Sequence, residues 1–298
     1  MSLQVVQNDT PNNPVINPVD QVFQLEIDES KIAWLTFDYP GEKVNKFSAH
    51  VMTELNSVLD EINANKSIRC LVIKSAKKGI FIAGADVKEI MDILQDAEAA
   101  EISNMIKKVI TNGVSTFNKL ESLHCPSIAV IDGACMGGGL EMALACTYRV
   151  ATDDSKTSLA LPEVNLGIIP GWGGTQRLTR MVGWRKAKEL LLTGVEIDGK
   201  EAEAIGLINK AVPIERVDEE VDKLCARLKH CAPVAWGYTK LAMNKVWETD
   251  HKSGLDYEVE ALAMVTSENE FNQNVFDDFI NDRQPKFERR KNITCDWD

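Results

Sequence analysis

Targeting and cross-linking signals are scarce in this chain of 298 residues. The first arginine is Arg69, so the Arg-rich pattern of an organellar transit peptide is missing. Residues 1–20 have neither a basic region nor an apolar one; with four Asn and three Pro they read as a flexible tail. No apolar run reaches bilayer length and mean hydropathy is −0.17, so no membrane insertion is expected. Histidine is rare, and His50, His124, His230 and His251 lack the spacing of a metal-ligand set, so no metal is expected. The seven cysteines are odd in number and include no C-x-x-C pair. That argues against a disulfide framework or a zinc ribbon and for a reducing, cytoplasmic compartment. Positive charge is in deficit: 33 Lys and Arg stand against 45 Asp and Glu, a net charge of −12. Such a field repels nucleic acid and anionic lipid, and the basic residues form no long stripe. No nucleic-acid partner is expected.

Several catalytic signatures are missing too. There is no G-x-S-x-G elbow, no phosphate-binding G-x-x-x-x-G-K-[ST] loop and no H-E-x-x-H. Gly171-Trp-Gly173-Gly-Thr-Gln176 begins like a dinucleotide fingerprint but lacks its third glycine. What is present is a globular composition, 44% hydrophobic, long enough for one large core or two modest ones.

The apolar spacing predicts a hairpin from Gln21–Asp28 and Lys31–Asp38, then a helix capped by Ser48, with Val51, Leu55, Val58, Leu59 and Ile62 on one face. A buried strand is expected at Cys70–Ile73, a glycine-containing turn at Phe81–Asp86, and a capping pair from Asp86 and Glu89. A long helix over Ala97–Leu123 precedes the strand Ser127–Ile131. Further strands are expected at Arg149–Ala151, Thr157–Ala160 and Leu207–Val212, with helices ending near Gly183, Gly194 and Gly206. The layout is strand–helix units over 21–212 followed by an all-helical region, 213–298. That region is either a packing layer or an oligomerisation device, with Leu224, Leu228, Leu241, Leu262 and Val265 as its apolar positions.

Three small-residue junctions stand out as candidate chemistry. Gly137-Gly-Gly139 opens a helix with Glu141 in its first turn. Free N–H groups there would face a ligand whose oxygen gains negative charge; alternatively the glycines only permit tight packing. Glu163 sits among Leu161, Pro162, Val164 and Leu166. Burial there would raise its pKa toward proton-transfer range; alternatively it is an edge carboxylate facing water. Ile82-Ala-Gly-Ala-Asp86 offers more amides, or is simply a capped turn.

In order, F-I-A-G-A-D, G-G-G-L-E, L-P-E-V-N-L-G and P-G-W-G-G-T-Q-R-L resemble the crotonase, or enoyl-CoA hydratase/isomerase, superfamily from about Val22 to Phe287. The stretches Gly137–Arg149 and Thr157–Arg177 resemble the hydratase part of the fatty-acid oxidation complex α-subunit. The chain shows no dehydrogenase module, and Phe276–Phe287 is similar to the last helix of stand-alone hydratases. The resemblance implies an α/β fold, a ClpP/crotonase spiral of β-β-α repeats, with a C-terminal helical region that builds homotrimers or homohexamers.

It also implies chemistry: hydration of trans-2-enoyl-CoA to 3-hydroxyacyl-CoA in fatty-acid β-oxidation. The thioester oxygen would be held by the amides of Ala85 and Gly138, with Glu141 and Glu163 as the catalytic carboxylates. By resemblance Glu141 activates water and Glu163 supplies the α-proton; two close carboxyls in a dry pocket favour a shared proton. Substrate contacts are implied at Ala83, Gly84, Asp86, Val87 and Lys88, at Gly137 and Gly139, and at Pro170, Gly171 and Trp172. Trp172 stands where smaller residues are common, which implies a narrowed acyl tunnel. Coenzyme A enters as part of the acyl-CoA substrate, and no cofactor is implied. Lys77, Lys78 and Lys88 either offer local charge for its phosphates or are merely solvated. The alternatives are a Δ3-Δ2-enoyl-CoA isomerase and a non-catalytic acyl-CoA-binding subunit.

Overall fold

The computed structural model describes residues 21–95, 99–267 and 280–281. The tail over 1–20, the start of the predicted long helix and the segment Phe276–Phe287 lie wholly or partly outside the described residues. The chain opens with an antiparallel hairpin, β1 (Phe23–Ile27) and β2 (Ile32–Phe37), with Phe23 opposite Phe37. Its turn puts Lys31 at φ +64°, and the Asp28 carboxylate accepts the Ile32 N–H at 2.9 Å. Helix α1 (Ala49–Ala64) is capped by the Ser48 hydroxyl, which accepts the Val51 N–H. The elements then alternate as β3 (Cys70–Ser75), β4 (Ile80–Ile82), α2 (Val87–Gln95) and α3 (Ala99–Glu121). A second set is β5 (Ser127–Ile131), β6 (Ala134–Met136) and α4 (Gly138–Ala145). A third is β7 (Tyr148–Thr152), β8 (Ser158–Ala160), a 3-10 turn (Pro162–Leu166) and α5 (Gly174–Thr193).

In each set the first strand joins one sheet and the second strand joins another. The larger sheet runs β1-β2-β3-β5-β7, and the smaller runs β4-β6-β8. Strands added by successive sets pair in parallel, so each β-β-α set advances the chain one step along both sheets. This is the spiral expected from the resemblance. β9 (Ile197–Asp198) closes the smaller sheet, α6 (Gly199–Ala204) follows, and β10 (Lys210–Val212) closes the larger one beside β7. The last strand is shorter than predicted because 206–209 form a turn, its Leu207 and Ile208 amides bonded to the Ala202 carbonyl.

The run Cys70-Leu-Val-Ile73 is buried on both faces, as a parallel central strand requires. Leu71 and Ile73 enter the main core with α1, α3 and α4, while Cys70 and Val72 meet α7 (Val217–Leu228) on the outer face. Leu228 is buried and Leu224 half-buried in that second core, so these two predicted assembly positions serve packing within the chain. α8 (Pro233–Glu248) and α9 (His251–Ser267) pack on each other. Val246, Trp247, Val259 and Leu262 there are more than half exposed. α5 carries a break at Gly183 (φ +76°), where the sequence places the end of a first helix. α4 is buried along its whole length, which its small and apolar residues permit.

Candidate active site

The site forms where the three spiral steps turn from strand to helix. After β4 the Ala83 N–H donates to the Asn45 carbonyl, the Phe47 N–H to the Gly84 carbonyl, and the Asp86 N–H to the Phe47 carbonyl, each at 2.8 Å. This short parallel bridge uses the groups on either side of Ala85. The Ala85 N–H is thereby turned away from it and has no acceptor among the described residues. Gly84 lies at φ +112°, and a Cβ there would stand 3.2 Å from the Met136 carbonyl oxygen and 3.8 Å from the Gly138 nitrogen. The first and second junctions are therefore in direct backbone contact.

At the second junction Gly137 (φ +50°) donates to the Ala160 carbonyl, and α4 begins at Gly138. The Gly138 N–H, first of the helix, has no intrahelical acceptor and lies at the positive end of the helix dipole. At the third, Pro162 starts the 3-10 turn that folds Glu163 inward rather than leaving it on a strand edge; its exposure is 9%. A Cβ on Gly137 would come within 2.9 Å of the Glu163 Oε1, so glycine there makes room for the carboxylate. Glu163 Oε2 is shut from solvent and has no hydrogen-bond partner among the described residues.

The loop Pro170–Gly174 completes the site. The N–H groups of Trp172 and Gly174 both donate to Glu141 Oε1, at 2.7 and 2.8 Å, and Gly173 at φ +107° lets the two amides converge. Burial pushes the Glu141 carboxyl up to about 7; the Gly174 and Trp172 amides and the Arg177 charge oppose the rise, and the charge of Glu163 adds to it. Burial likewise holds Glu163 above the usual carboxylate range. The structure thus brings together two buried carboxyls that resist ionisation and two amides awaiting an acceptor.

The Trp172 indole fills the wall beside Gly138. It meets Phe47 and Phe117 edge-on, with ring centroids 5.8 and 5.7 Å away, and rests on α3 at Gly113. A Cβ on Gly113 would overlap the indole. A glycine inside a 23-residue helix runs against helix propensity, and that violation was the signal for this contact. Gly139 packs so closely on the Ile82 carbonyl that a Cβ would stand 2.6 Å from it. Pro170 and Gly171 line an open cavity of about 620 Å³ with Arg180, Met181 and Trp247.

The remaining predicted contacts spread outward. Ala83, Val87 and Lys88 are exposed, and Asp86 is tied to Lys46 at 3.0 Å. The Asp86 carboxylate accepts the Glu89 N–H, but Glu89 does not reach back; its carboxylate takes the Ala49 N–H instead, because the Asp86 N–H is spent on Phe47. Lys77 is bound to Asp38 at 2.6 Å and to the Tyr39 carbonyl, while Lys78 and Lys88 are exposed and make no ion pair with a described residue. Asn45 was missed from sequence: its buried side chain bonds the Phe37 carbonyl, the Ser75 hydroxyl and the Tyr39 N–H, and its carbonyl anchors Ala83. A single Asn between Val44 and Lys46 gives no periodic signal.

Residues 28–290 match the enoyl-CoA hydratase/isomerase family. The chain belongs to that family. Its sequence is 47% identical over 195 residues to the fatty acid oxidation complex subunit alpha of Shewanella sp. (strain MR-4), and 44% identical to that of Shewanella amazonensis. These matches cover 65% of this chain, which spans only about a quarter of those relatives' length. Among solved structures it superposes on an enoyl-CoA hydratase from Bacillus anthracis with a TM-score of 0.79 at 29% identity, covering 90% of this chain and 99% of that one. Pseudomonas aeruginosa DspI gives 0.80 at 26% identity, with 93% and 100% covered. The crotonase fold is common to them. Among the described residues no helix is long and apolar enough to cross a membrane.

Proposed function

We propose that the chain adds water across the conjugated double bond of a trans-2-enoyl-CoA, giving 3-hydroxyacyl-CoA. The observation that carries this reading is the pair of buried glutamates, Glu141 and Glu163, beside the unused amides of Ala85 and Gly138. The thioester oxygen accepts from those two amides. As the water oxygen attacks the β-carbon, the electrons of the conjugated system move onto the thioester oxygen, where fixed donors and the α4 dipole stabilise the enolate without reorganising.

The proposed division of roles between the two carboxyls follows the resemblance, and the hydrogen bonds around each are compatible with it. Two loop amides favour the ionised form of Glu141 against the burial that pushes it up to about 7, and in the proposed step the ionised carboxylate takes the water proton. Glu163 has an unpartnered buried oxygen and burial raises its pKa, which suits the proposed delivery of its proton to the α-carbon. The proposed steps draw on amides and carboxyls alone, with coenzyme A as part of the substrate. Lys78 and Lys88, exposed near the Ala83–Asp86 turn, are the proposed contacts for its phosphates. The proposed setting is fatty-acid β-oxidation in the cytoplasm, supported by the complex subunits it resembles. The uncovered apolar faces of α8 and α9 support a trimer or hexamer.

The experiment is a series of 2-enoyl-CoA thioesters, from crotonyl-CoA upward, followed by loss of the conjugated thioester absorbance. Turnover is expected. Isomerisation of 3-enoyl-CoA without hydration would transfer the assignment to an isomerase, and tight binding with neither reaction would make the chain a binding subunit.

A further inference from the structure

Arg177 lies one turn into α5 and makes no hydrogen bond to Glu141 or Glu163, yet it is braced on three sides. Its Nη1 donates to the Trp172 carbonyl at 3.0 Å. Its Nε and Nη2 meet Glu121 Oε2 of α3 at 2.9 and 2.8 Å, and Nη2 also donates to Asn118 Oδ1 at 2.6 Å. The peptide plane it grips, between Trp172 and Gly173, lies between the two planes whose N–H groups hold Glu141 Oε1. A rotation of the central plane would swing both gripping amides. Gly173, which flanks that plane at φ +107°, supplies no stiffness of its own. Oε2 of Glu141 takes no bond from any described residue.

We propose that Arg177 is a positioning residue for Glu141: its guanidinium clamps the Trp172 carbonyl, fixes the 172–174 loop, and so dedicates Glu141 Oε1 to the loop and Oε2 to the proton. A bidentate fork suits this task, since one edge reads the carboxylate of Glu121 while another nitrogen reaches the carbonyl. The charge acts in the same direction as the geometry. Glu163 on the 3-10 turn and Arg177 on α5 are the charged groups that bear on Glu141, the first opposing its ionisation and the second favouring it. Other nearby charges are committed: Glu121 pairs with Arg177, Lys240 of α8 donates to the Glu121 carbonyl, and Arg149 of β7 bonds the carbonyls of Ala143, Cys146 and Leu207.

The rate consequence rests on the hydratase reading; the clamp itself does not. The test combines Arg177→Gln and Arg177→Lys with a carbon-13 titration of glutamate side-chain carboxyls, in which Glu141→Gln assigns the Glu141 signal. In Arg177→Gln the Glu141 midpoint rises by about one pH unit, the scale of losing a nearby opposite charge. The acid limb of kcat for crotonyl-CoA moves with it, while KM stays within about twofold. Arg177→Lys keeps the charge and loses the fork, so its midpoint moves less, but kcat at pH 8 falls roughly ten- to a hundredfold from loosened geometry. An unmoved midpoint in Arg177→Gln overturns the proposal. Should that variant not fold, wild-type kcat in Arg177→Lys overturns it instead. A wild-type chain that does not hydrate crotonyl-CoA would sink the hydratase reading, and the carboxyl titration would still decide the clamp.

Discussion

Adding one methyl group at Gly138 probes the oxyanion site and its wall together. The Cβ of Gly138→Ala would stand 2.5 Å from Trp172 Cζ3, 2.7 Å from Cε3 and 3.5 Å from Phe47 Cδ2. Ordinary carbon contacts lie at about 3.5–4.0 Å, so something must give by about 1 Å. The indole cannot recede, because Phe47 and Phe117 hold it edge-on and the Gly113 backbone lies behind it. The displacement therefore falls on the first turn of α4 and carries the Gly138 N–H off the position proposed for the thioester oxygen. Overpacking of this kind costs about 1–3 kcal/mol of stability. Losing one oxyanion donor lowers kcat by about 10²–10³-fold. Trp172→Phe in the same chain removes the clashing edge while keeping the backbone N–H that grips Glu141. The double variant should recover about tenfold or more of the lost kcat, a coupling of roughly 1.4 kcal/mol. The assay is steady-state hydration of crotonyl-CoA with urea unfolding alongside. Wild-type kcat in Gly138→Ala, or no recovery in the double variant, would refute the reasoning.

Three further outcomes follow from the same geometry. Burial pushes the Glu141 carboxyl up to about 7, well above an ordinary carboxylate, so the folded chain binds its proton more tightly than the unfolded chain; that favours folding at low pH, and the advantage is lost as pH rises through about 7. Glu141→Gln should therefore gain stability relative to wild type between pH 5 and pH 8, by up to about 3 kcal/mol, in urea unfolding at fixed protein concentration; a pH-independent difference contradicts this. Asn45→Ala strands the Tyr39 N–H and the Phe37 carbonyl and loosens the Ala83–Asp86 turn, so unfolding should show a loss of about 2–4 kcal/mol, and an unchanged midpoint would refute that role. Sedimentation should give a trimer or hexamer that Val246→Asp with Leu262→Asp breaks to smaller species, whereas a wild-type monomer at micromolar concentration would dismiss the assembly.

The strand–helix units were legible because their strands are short apolar runs punctuated by glycine and proline, as at Cys70–Ile73 and Ser127–Ile131, while their winding into a spiral was implied by the resemblance alone. The two-residue β9 and three-residue strands such as Ala134–Met136 carried too few residues for any period, so the smaller sheet was only partly visible. The Gly137–Gly139 and Leu161–Glu163 junctions stood out by residue type, but burial of Glu163 depends on the 3-10 turn set by Pro162, which alternation alone does not reveal. Arg177 and Asn45 act through backbone groups distant in sequence, and a linear pattern holds no trace of such partners. The helical end was legible as helices; that α7 seals the outer face of the sheet while α8 and α9 leave apolar residues uncovered depends on where the sheet ends.

The central claim is that two glutamates divide the work of hydration, and the most direct test compares Glu141→Gln with Glu163→Gln on two substrates. Each substitution keeps the side-chain volume and removes ionisation. Both variants should hydrate crotonyl-CoA at least about a hundredfold more slowly than wild type, with KM little changed because the proposed holders of the thioester oxygen are backbone amides that the substitutions leave in place. Isomerisation of a 3-enoyl-CoA should fall in Glu163→Gln and largely survive in Glu141→Gln, since moving a proton between carbons needs no activated water. Near wild-type hydration in Glu141→Gln would contradict the account.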